Sequence, residues 1–303
     1  MINNKLMVMG LSSRRHPAKR GDFCVKVSVI VPTYNRPTEL ALCLESLNRQ
    51  SLLPAEVLIA DDGSDAATRH VVERFTNSTG CPFAVHHVWQ ENCGFRKPQI
   101  INETVRRSSG EYLVVIDGDC MAHHDFVRSH CRAAEPLAIL GGKRVELGQE
   151  FTERLLRKGT SLTRLTVRVL VNSLFHGSRK VEEAIQIRSR LLRRLLKSDR
   201  IMDDGIWGCN FSIHRDLFYA INGCDEDFLD GSVEDNDLGI RVINSGGRVK
   251  SVRGLAIVFH LWHRASWGTG NEKHNHNMTI LRQRIARGES CCRNGIVSAM
   301  AEV

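Results

Sequence analysis

Short apolar runs alternate with amphipathic stretches through the first 145 residues, and this alternation restricts the chain more than any other feature. "VSVIVP" (27–32) is a β-branched run and reads as a buried strand. "RPTELALCLESLNRQ" (36–50) sets Leu40, Leu44 and Leu47 on one helical face, with Pro37 suited to the first turn and Asn35 to the N-cap. "EVLIA" (56–60) is a second strand that ends at Asp61-Asp62-Gly63-Ser64, and residues 65–76 are helical. "FAVHHVW" (83–89) is a third strand, 97–109 a helix closed by Gly110, and "YLVVI" (112–116) a fourth strand. This order predicts an α/β fold with right-handed crossovers and a mainly parallel central sheet flanked by helices. Ligands of such sheets bind beyond the carboxyl ends of the strands. Thr33-Tyr34-Asn35, Asp61-Asp62, Asn92-Cys93-Gly94-Phe95-Arg96 and Asp117-Gly118-Asp119 follow the four strands and should line one crevice.

The chain has 303 residues, enough for one large core or two modest domains. Its apolar runs fall far short of the ~20 residues of a membrane span. Residues 1–25 read as a polar extension, without the apolar core and cleavage site of a secretory signal, so a cytoplasmic protein is expected. Ten cysteines occur without a CxxC pair, and Cys43, Cys120 and Cys131 sit inside apolar runs, which suits a reducing compartment. Net charge is +8, but residues 151–200 hold 13 basic and 4 acidic side chains, against 29 and 30 elsewhere. One basic segment implies an anionic partner. Within it, "VEEAIQIRSRLLRRLLKS" (181–198) aligns Val181, Ala184, Ile185, Leu191, Leu192, Leu195 and Leu196 on a helical stripe flanked by arginines. A surface helix packed on the core is the plainer reading, and an interfacial helix on anionic lipid the sharper one. Nucleic acid is disfavoured, because no aromatic residues interleave the basic ones.

After residue 205 the chain is rich in glycine and aromatics, and 225–237 holds seven acidic residues in thirteen positions. A helix follows with Leu238, Ile240, Val242 and Ile243, and "GLAIVFHLWH" (254–263) reads as a final buried strand ending in His260 and His263.

Two carboxylates separated by one glycine at a strand end, in "VVIDGDC" (114–120), repel unless compensated. Such a turn can bind Mg²⁺ or Mn²⁺, serve as a phosphoryl-transfer nucleophile pair, or lie solvated. The nucleophile pair lacks its downstream Thr/Ser and Lys partners. The other polar strand ends favour the metal, which a histidine such as His260 would complete. Open positions on that metal suit a diphosphate, as in a nucleotide. Glu234 and Asp235, near a helix start, offer a general base, although acidic residues there also complement the helix dipole.

"VSVIVPTYNRP", "EVLIADDGS" and "GEYLVVIDGDC", in this order and spacing, resemble family 2 inverting glycosyltransferases with a GT-A fold. "WQENCGFRKPQIINETV" and "WGCNFSIHRDLFYAINGCDEDF…EDNDLGIRV" resemble the bacterial branch whose C-terminal region is similar to galactosyltransferases and chondroitin-polymerase domains. The resemblance covers roughly 26–145 and 205–265. With the basic composition of 151–200, to which no family motif transfers, it divides the chain into a polar extension (1–25), a nucleotide-sugar-binding half (26–145), a basic helical insert (146–204), an acceptor-binding and catalytic half (205–270) and a tail (271–303). It implies nucleotide contacts from Pro32, Thr33 and Tyr34, a uracil contact from Asp61 or Asp62, and Arg96 near the base or phosphates. Asp117 and Asp119, about Gly118, correspond to the DxD motif, with Asp119 the stronger metal ligand. His260 corresponds to a late metal-binding histidine, with His263 the second choice. Asp235 corresponds to the catalytic base and Glu234 to its acceptor-binding neighbour, while Trp207, Gly208, Cys209 and Asn210 would flank the donor sugar. The expected activity is Mn²⁺- or Mg²⁺-dependent transfer, with inversion, from a UDP-sugar to a glycan or glycolipid acceptor. "LDGSVED" departs from the Gly-Trp-Gly-like run of relatives, which bears on donor-sugar and acceptor specificity. A nucleotide-dependent oxidoreductase would need a GxGxxG turn where the chain has "PTYNRP". A non-catalytic metal- or nucleic-acid-binding module would use the basic segment and the histidines, including His274 and His276.

Overall fold

The computed structural model describes residues 25–78, 80–158, 171, 177–196, 198, 206–264 and 271–297. Nearly all of the expected N-terminal extension and much of the basic insert lie outside the described residues.

The alternation resolves into β1 (Val27–Thr33), α1 (Pro37–Asn48), β2 (Glu56–Asp61), α2 (Ala66–Thr76), β3 (Ala84–Trp89), α3 (Lys97–Arg107) and β4 (Tyr112–Ile116). The chain continues through β5 (Cys120–Ala122), α4 (Phe126–Ala133), β6 (Ala138–Gly141), β7 (Arg144–Glu146) and α5 (Gln149–Lys158). Further along come α6 (Arg190–Leu195), β8 (Asn210–His214), α7 (Arg215–Ala220), α8 (Glu234–Asn244), β9 (Arg248–Ser251), β10 (Val258–His260) and α9 (Glu272–Arg287). Seven strands form one sheet in the order β3-β2-β1-β4-β8-β6-β9, in which β8 alone runs antiparallel to its neighbours. Strands from 26–145 and from 205–270 therefore share a single sheet.

The period of two along β1 sorts its side chains between two cores. Val27, Val29 and Val31 pack with Leu40, Leu44 and Leu47 of α1, whereas Ile30 packs with Ile100, Ile101 and Val105 of α3. Each fully buried Leu or Ile contributes about 1.5–3 kcal/mol. A sheet covered on both faces leaves its strand ends as the open ground for chemistry.

Three local expectations are corrected. Asn35 is not the cap of α1. It takes a left-handed φ of 48°, and its Oδ1 accepts the Asp65 N–H at 2.9 Å, tying the ends of β1 and β2 together. The strand expected over 254–263 is only Val258–His260, because the Leu255 and Ala256 N–H groups turn back onto the Val252 carbonyl. It belongs to a second sheet, β5-β10-β7. The helix expected over 181–198 is a 3₁₀ turn (Val181–Ala184), an extended link, and α6. The link is extended because the Ile187 N–H donates to the Gly254 carbonyl at 2.7 Å, and Ser189 then caps α6. Ala184 is buried while Ile185, Leu191, Leu192, Leu195 and Leu196 are exposed, so the apolar stripe does not face the core.

Buried ion pairs fix α8 against α9. Asp237 accepts from Arg241 Nε at 2.7 Å and from Arg284, and Arg284 also donates to Asp225 at 2.8 Å. This network anchors the helix that begins with Glu234 and Asp235.

Candidate active site

The DGD turn closes on the end of β1. The Gly118 N–H donates to the Pro32 carbonyl at 2.8 Å, and a Cβ at 118 would lie 3.1 Å from that oxygen and from Thr33. Close packing thus favours glycine here. The two flanking carboxylates then diverge to different cationic partners. Asp117 Oδ1 lies 2.9 Å from Lys97 Nζ. Asp119 lies 3.6 Å from His260 Nε2 and 3.1 Å from His263 Nε2. The repulsion posed by the sequence is relieved separately at each carboxylate.

Asp119, His260 and His263 each offer one ligand atom, and these atoms lie within 4.8 Å of one another. The second sheet builds this cluster by pairing β10 with β5, and the Leu261 N–H donates to the Asp119 carbonyl at 2.9 Å. His263 Nδ1–H donates to the Arg264 carbonyl at 2.9 Å, which turns Nε2 toward Asp119. Burial works against ionisation of Asp119, yet the His263 hydrogen bond and the two imidazoles hold its carboxyl well below the usual range. The hydrogen bond to Asp119 raises His263, whereas burial lowers His260. One carboxylate and two imidazoles fit a first-row divalent ion such as Mn²⁺ better than Mg²⁺, which favours oxygen ligands. The structure thus groups both histidines with Asp119, and sets Asp117, expected to be a second ligand, against Lys97 instead.

Glu234 and Asp235 open α8, whose N-cap position, Val233, makes no side-chain cap. Asp235 Oδ2 accepts the Gly208 N–H at 2.6 Å and Oδ1 accepts the Asn236 N–H at 2.8 Å. Burial raises the Asp235 carboxyl, with Gly208 and Lys97 opposing. Glu234 Oε2 is buried without a hydrogen-bond partner. Burial, followed by the charge of Asp235, pushes Glu234 up to about 8. Lys97, half-buried, stays firmly protonated: burial opposes its charge, but Asp117 and Glu234 outweigh it. A protonated Glu234 beside a doubly hydrogen-bonded Asp235 is the kind of divergence that separates acid from base roles.

One cleft of about 1590 Å³ connects these groups. Pro32, Thr33, Tyr34, Asp62, Asp117, Gly118, Asp119, Trp207, Gly208, Cys209, Glu234, Asp235, His260 and His263 line it together with Lys97 and Phe95. Asp61, Arg96 and Asn210 are not in its lining. Asp61 is fully buried, accepting the Ser64 N–H at 2.8 Å and facing His87 Nε2 at 2.9 Å. Asp62 faces the cleft while accepting the Arg96 N–H at 2.9 Å and Gln90 Nε2 at 2.5 Å. The Arg96 guanidinium turns to Gln99 and the Glu91 carbonyl. Asn210 Nδ2 donates to the Lys143 and Ala256 carbonyls, both at 2.9 Å, while its Oδ1 meets His130 at 3.0 Å. The sequence reading missed Lys97. Its signal was the Arg-Lys-Pro run at the start of α3, where the second basic residue, one position on, is the one turned to the cleft.

The profile described as glycosyl transferase family 2 matches residues 28–218. The chain belongs to this family. A second profile, the N-terminal domain of galactosyltransferase, matches residues 199–264. Chondroitin synthase of Escherichia coli is 24% identical over 246 residues, covering 77% of this chain and 34% of that protein. The chain spans about half or less of the length of the curated relatives it matches. A Pyrobaculum calidifontis mannosyltransferase, solved with GDP-Man and Mn²⁺, superposes with a TM-score of 0.57 at 16% identity, over 88% of this chain and 69% of that one. GalNAc-T7, solved with UDP, GalNAc and Mn²⁺, gives 0.61 at 13%, over 86% and 48%. The fold is that of GT-A glycosyltransferases, and relatives of the chain act in bacterial polysaccharide synthesis. Among the described residues no helix is long and apolar enough to cross a membrane.

Proposed function

We propose that the protein transfers a hexose or N-acetylhexosamine from a UDP-sugar to a glycan or glycolipid acceptor, with inversion, in the synthesis of a bacterial surface polysaccharide. The observation that carries this reading is the convergence, in one cleft, of the Asp119–His260–His263 cluster with the Glu234–Asp235 pair. The donor nucleotide would lie along Pro32, Thr33, Tyr34 and Asp62, at the strand ends. Asp119, His260 and His263 would hold Mn²⁺, which when bound stabilises negative charge on the departing diphosphate. Asp235, fixed by two backbone N–H groups, takes the proton from the acceptor hydroxyl. Lys97 holds Asp117 and keeps positive charge beside the base. The two similar structures, one holding GDP-Man and Mn²⁺ and the other UDP, GalNAc and Mn²⁺, support the metal and the nucleotide-sugar class of donor. Exposed leucines of α6 among arginines support contact with an anionic membrane.

A panel of UDP-sugars incubated with Mn²⁺, Mg²⁺ or chelator tests the proposal, because a transferase slowly hydrolyses its own donor without acceptor. Metal-dependent release of UDP from one sugar is expected. Release of UDP that ignores the chelator, or none from any sugar, would overturn it.

A further inference from the structure

Beyond the groups already discussed, the cleft holds a cluster of positive charge around one aromatic ring. Lys180 Nζ lies 4.2 Å from the Trp207 ring centroid, Lys143 Nζ 4.7 Å and the Arg144 guanidinium 5.0 Å. Arg179 joins them through the backbone: Glu146 and Arg179 exchange N–H···O bonds of 3.0 and 2.8 Å, laying this segment beside β7. Lys180 follows in the left-handed region, with φ of 53°, a conformation disfavoured for a residue with a side chain. The strained backbone is maintained where it brings Lys180, the nearest of the three cations, onto this ring.

Among the described residues, Arg144, Arg179 and Lys180 share one carboxylate. Glu146 lies 2.7 Å from Arg179, 2.7 Å from Lys180 and 3.8 Å from Arg144. Three cations thus converge on one anion. A cation over an indole face gains little at an exposed site, less than bringing like charges together costs. An incoming anion would.

The location indicates which anion. Arg144, Arg179, Lys180 and Trp207 all line the same cleft as Asp235, and Trp207 directly precedes Gly208, whose N–H holds the base. Thr33, Tyr34, Ala60 and Asp62 line the end assigned to the nucleotide, whereas Arg144, Glu146, Arg179, Lys180 and Trp207 line this collar. At about 1590 Å³ the cleft exceeds the 300–1,000 Å³ of a typical single-ligand site, leaving room for a second substrate. Arg179 is 79% exposed at its side chain, within reach of a ligand entering from solvent.

We propose that Arg144, Arg179, Lys180 and Trp207, the last expected from the sequence to flank the donor sugar, instead form an acceptor subsite for an acidic sugar, one bearing a carboxylate or a phosphate. The indole supports the pyranose ring and the cations bind the anionic substituent. This rests on the donor and base assignments above.

The test is calorimetric titration of glucose, glucuronate and glucose 6-phosphate into the protein, with and without saturating UDP and Mn²⁺. The subsite predicts that at least one acidic sugar binds ten times or more tighter than glucose, with UDP and Mn²⁺ present. The better of the two identifies carboxylate or phosphate as the preferred group. Arg179→Ala/Lys180→Ala, at exposed positions, should remove that preference. Equal binding of all three sugars, or a preference that survives the double substitution, would overturn the proposal. So would competition of the acidic sugars with UDP, since the collar would then belong to the donor diphosphate. If UDP does not bind the unaltered protein, the donor reading falls, while the charge preference is still read directly from the titrations without nucleotide.

Discussion

Lys97 Nζ lies 2.9 Å from Asp117 Oδ1 and acts electrostatically on both Glu234 and Asp235, so one ammonium links the DGD turn to the proposed base. A positive charge near a carboxylate favours its ionised form. Removing it must raise the proton affinity of Asp235 further, since that carboxyl is already raised by burial. Lys97→Met should therefore shift the acidic limb of kcat/KM for donor hydrolysis to higher pH, lowering the rate at neutral pH by ~10–100-fold. Lys97→Arg should recover part of the loss. A limb that stays in place in Lys97→Met would show that the base does not feel this charge.

Asp235 and Glu234 are adjacent, but should respond differently to amide substitution. Asp235→Asn removes the proton acceptor and should cut transfer by ~10²–10⁴-fold while UDP affinity is retained. Glu234, raised to about 8, is mostly protonated at neutral pH, and glutamine imitates a protonated glutamate. Glu234→Gln should thus keep activity within roughly fivefold at pH 7, a smaller loss than that of a true base. Steady-state rates of both variants decide the assignment; the reverse ranking would make Glu234 the base.

The two carboxylates of the DGD turn also separate by partner. His263→Ala or Asp119→Ala removes a donor from the cluster and should weaken Mn²⁺ binding by ~10–100-fold or more. Asp117→Asn, whose side chain faces Lys97, should weaken it far less. Calorimetric titration of Mn²⁺ into each variant measures this, and an equal loss for Asp117→Asn would make Asp117 a ligand.

Much of this arrangement is written in local sequence. Strands β1, β2 and β4 are continuous apolar runs because the sheet is covered on both faces, and a buried run ending in Asp-Gly-Asp marks a strand end. The partition of Asp117 and Asp119 between different cations is not local. It depends on Lys97 at the start of α3 and on a second sheet that brings His260 and His263 beside Asp119. Asp61, Arg96 and Asn210 have the right chemistry at the right strand ends, yet their side chains are taken up by His87, Glu91 and His130. No spacing rule reports which way a polar side chain at a turn will face. The stripe of 181–198 misled for a related reason: its periodicity is helical, but the Gly254 carbonyl captures the backbone at Ile187.

Asn210 belongs to a buried chain of hydrogen bonds whose direction can be worked out. Its Nδ2 donates to two carbonyls, so Oδ1 accepts from His130 Nε2–H at 3.0 Å. Burial lowers the His130 imidazole to about 4 from 6.5, so the ring is neutral at pH 7. Its Nδ1 then accepts from Ser212 Oγ at 2.7 Å, which in turn accepts from Tyr112 at 2.7 Å. With the folded value depressed, the unfolded chain takes up the proton first. Stability from this group is complete above pH 6.5 and is lost as pH falls toward 4. Between pH 7 and pH 5 the loss should be on the order of 2 kcal/mol. His130→Gln, which offers a donor and an acceptor but does not titrate, should lose less over the same interval, whatever its stability at pH 7. Urea unfolding of both proteins at the two pH values measures the difference, and equal losses would mean that His130 is not held neutral in the folded protein.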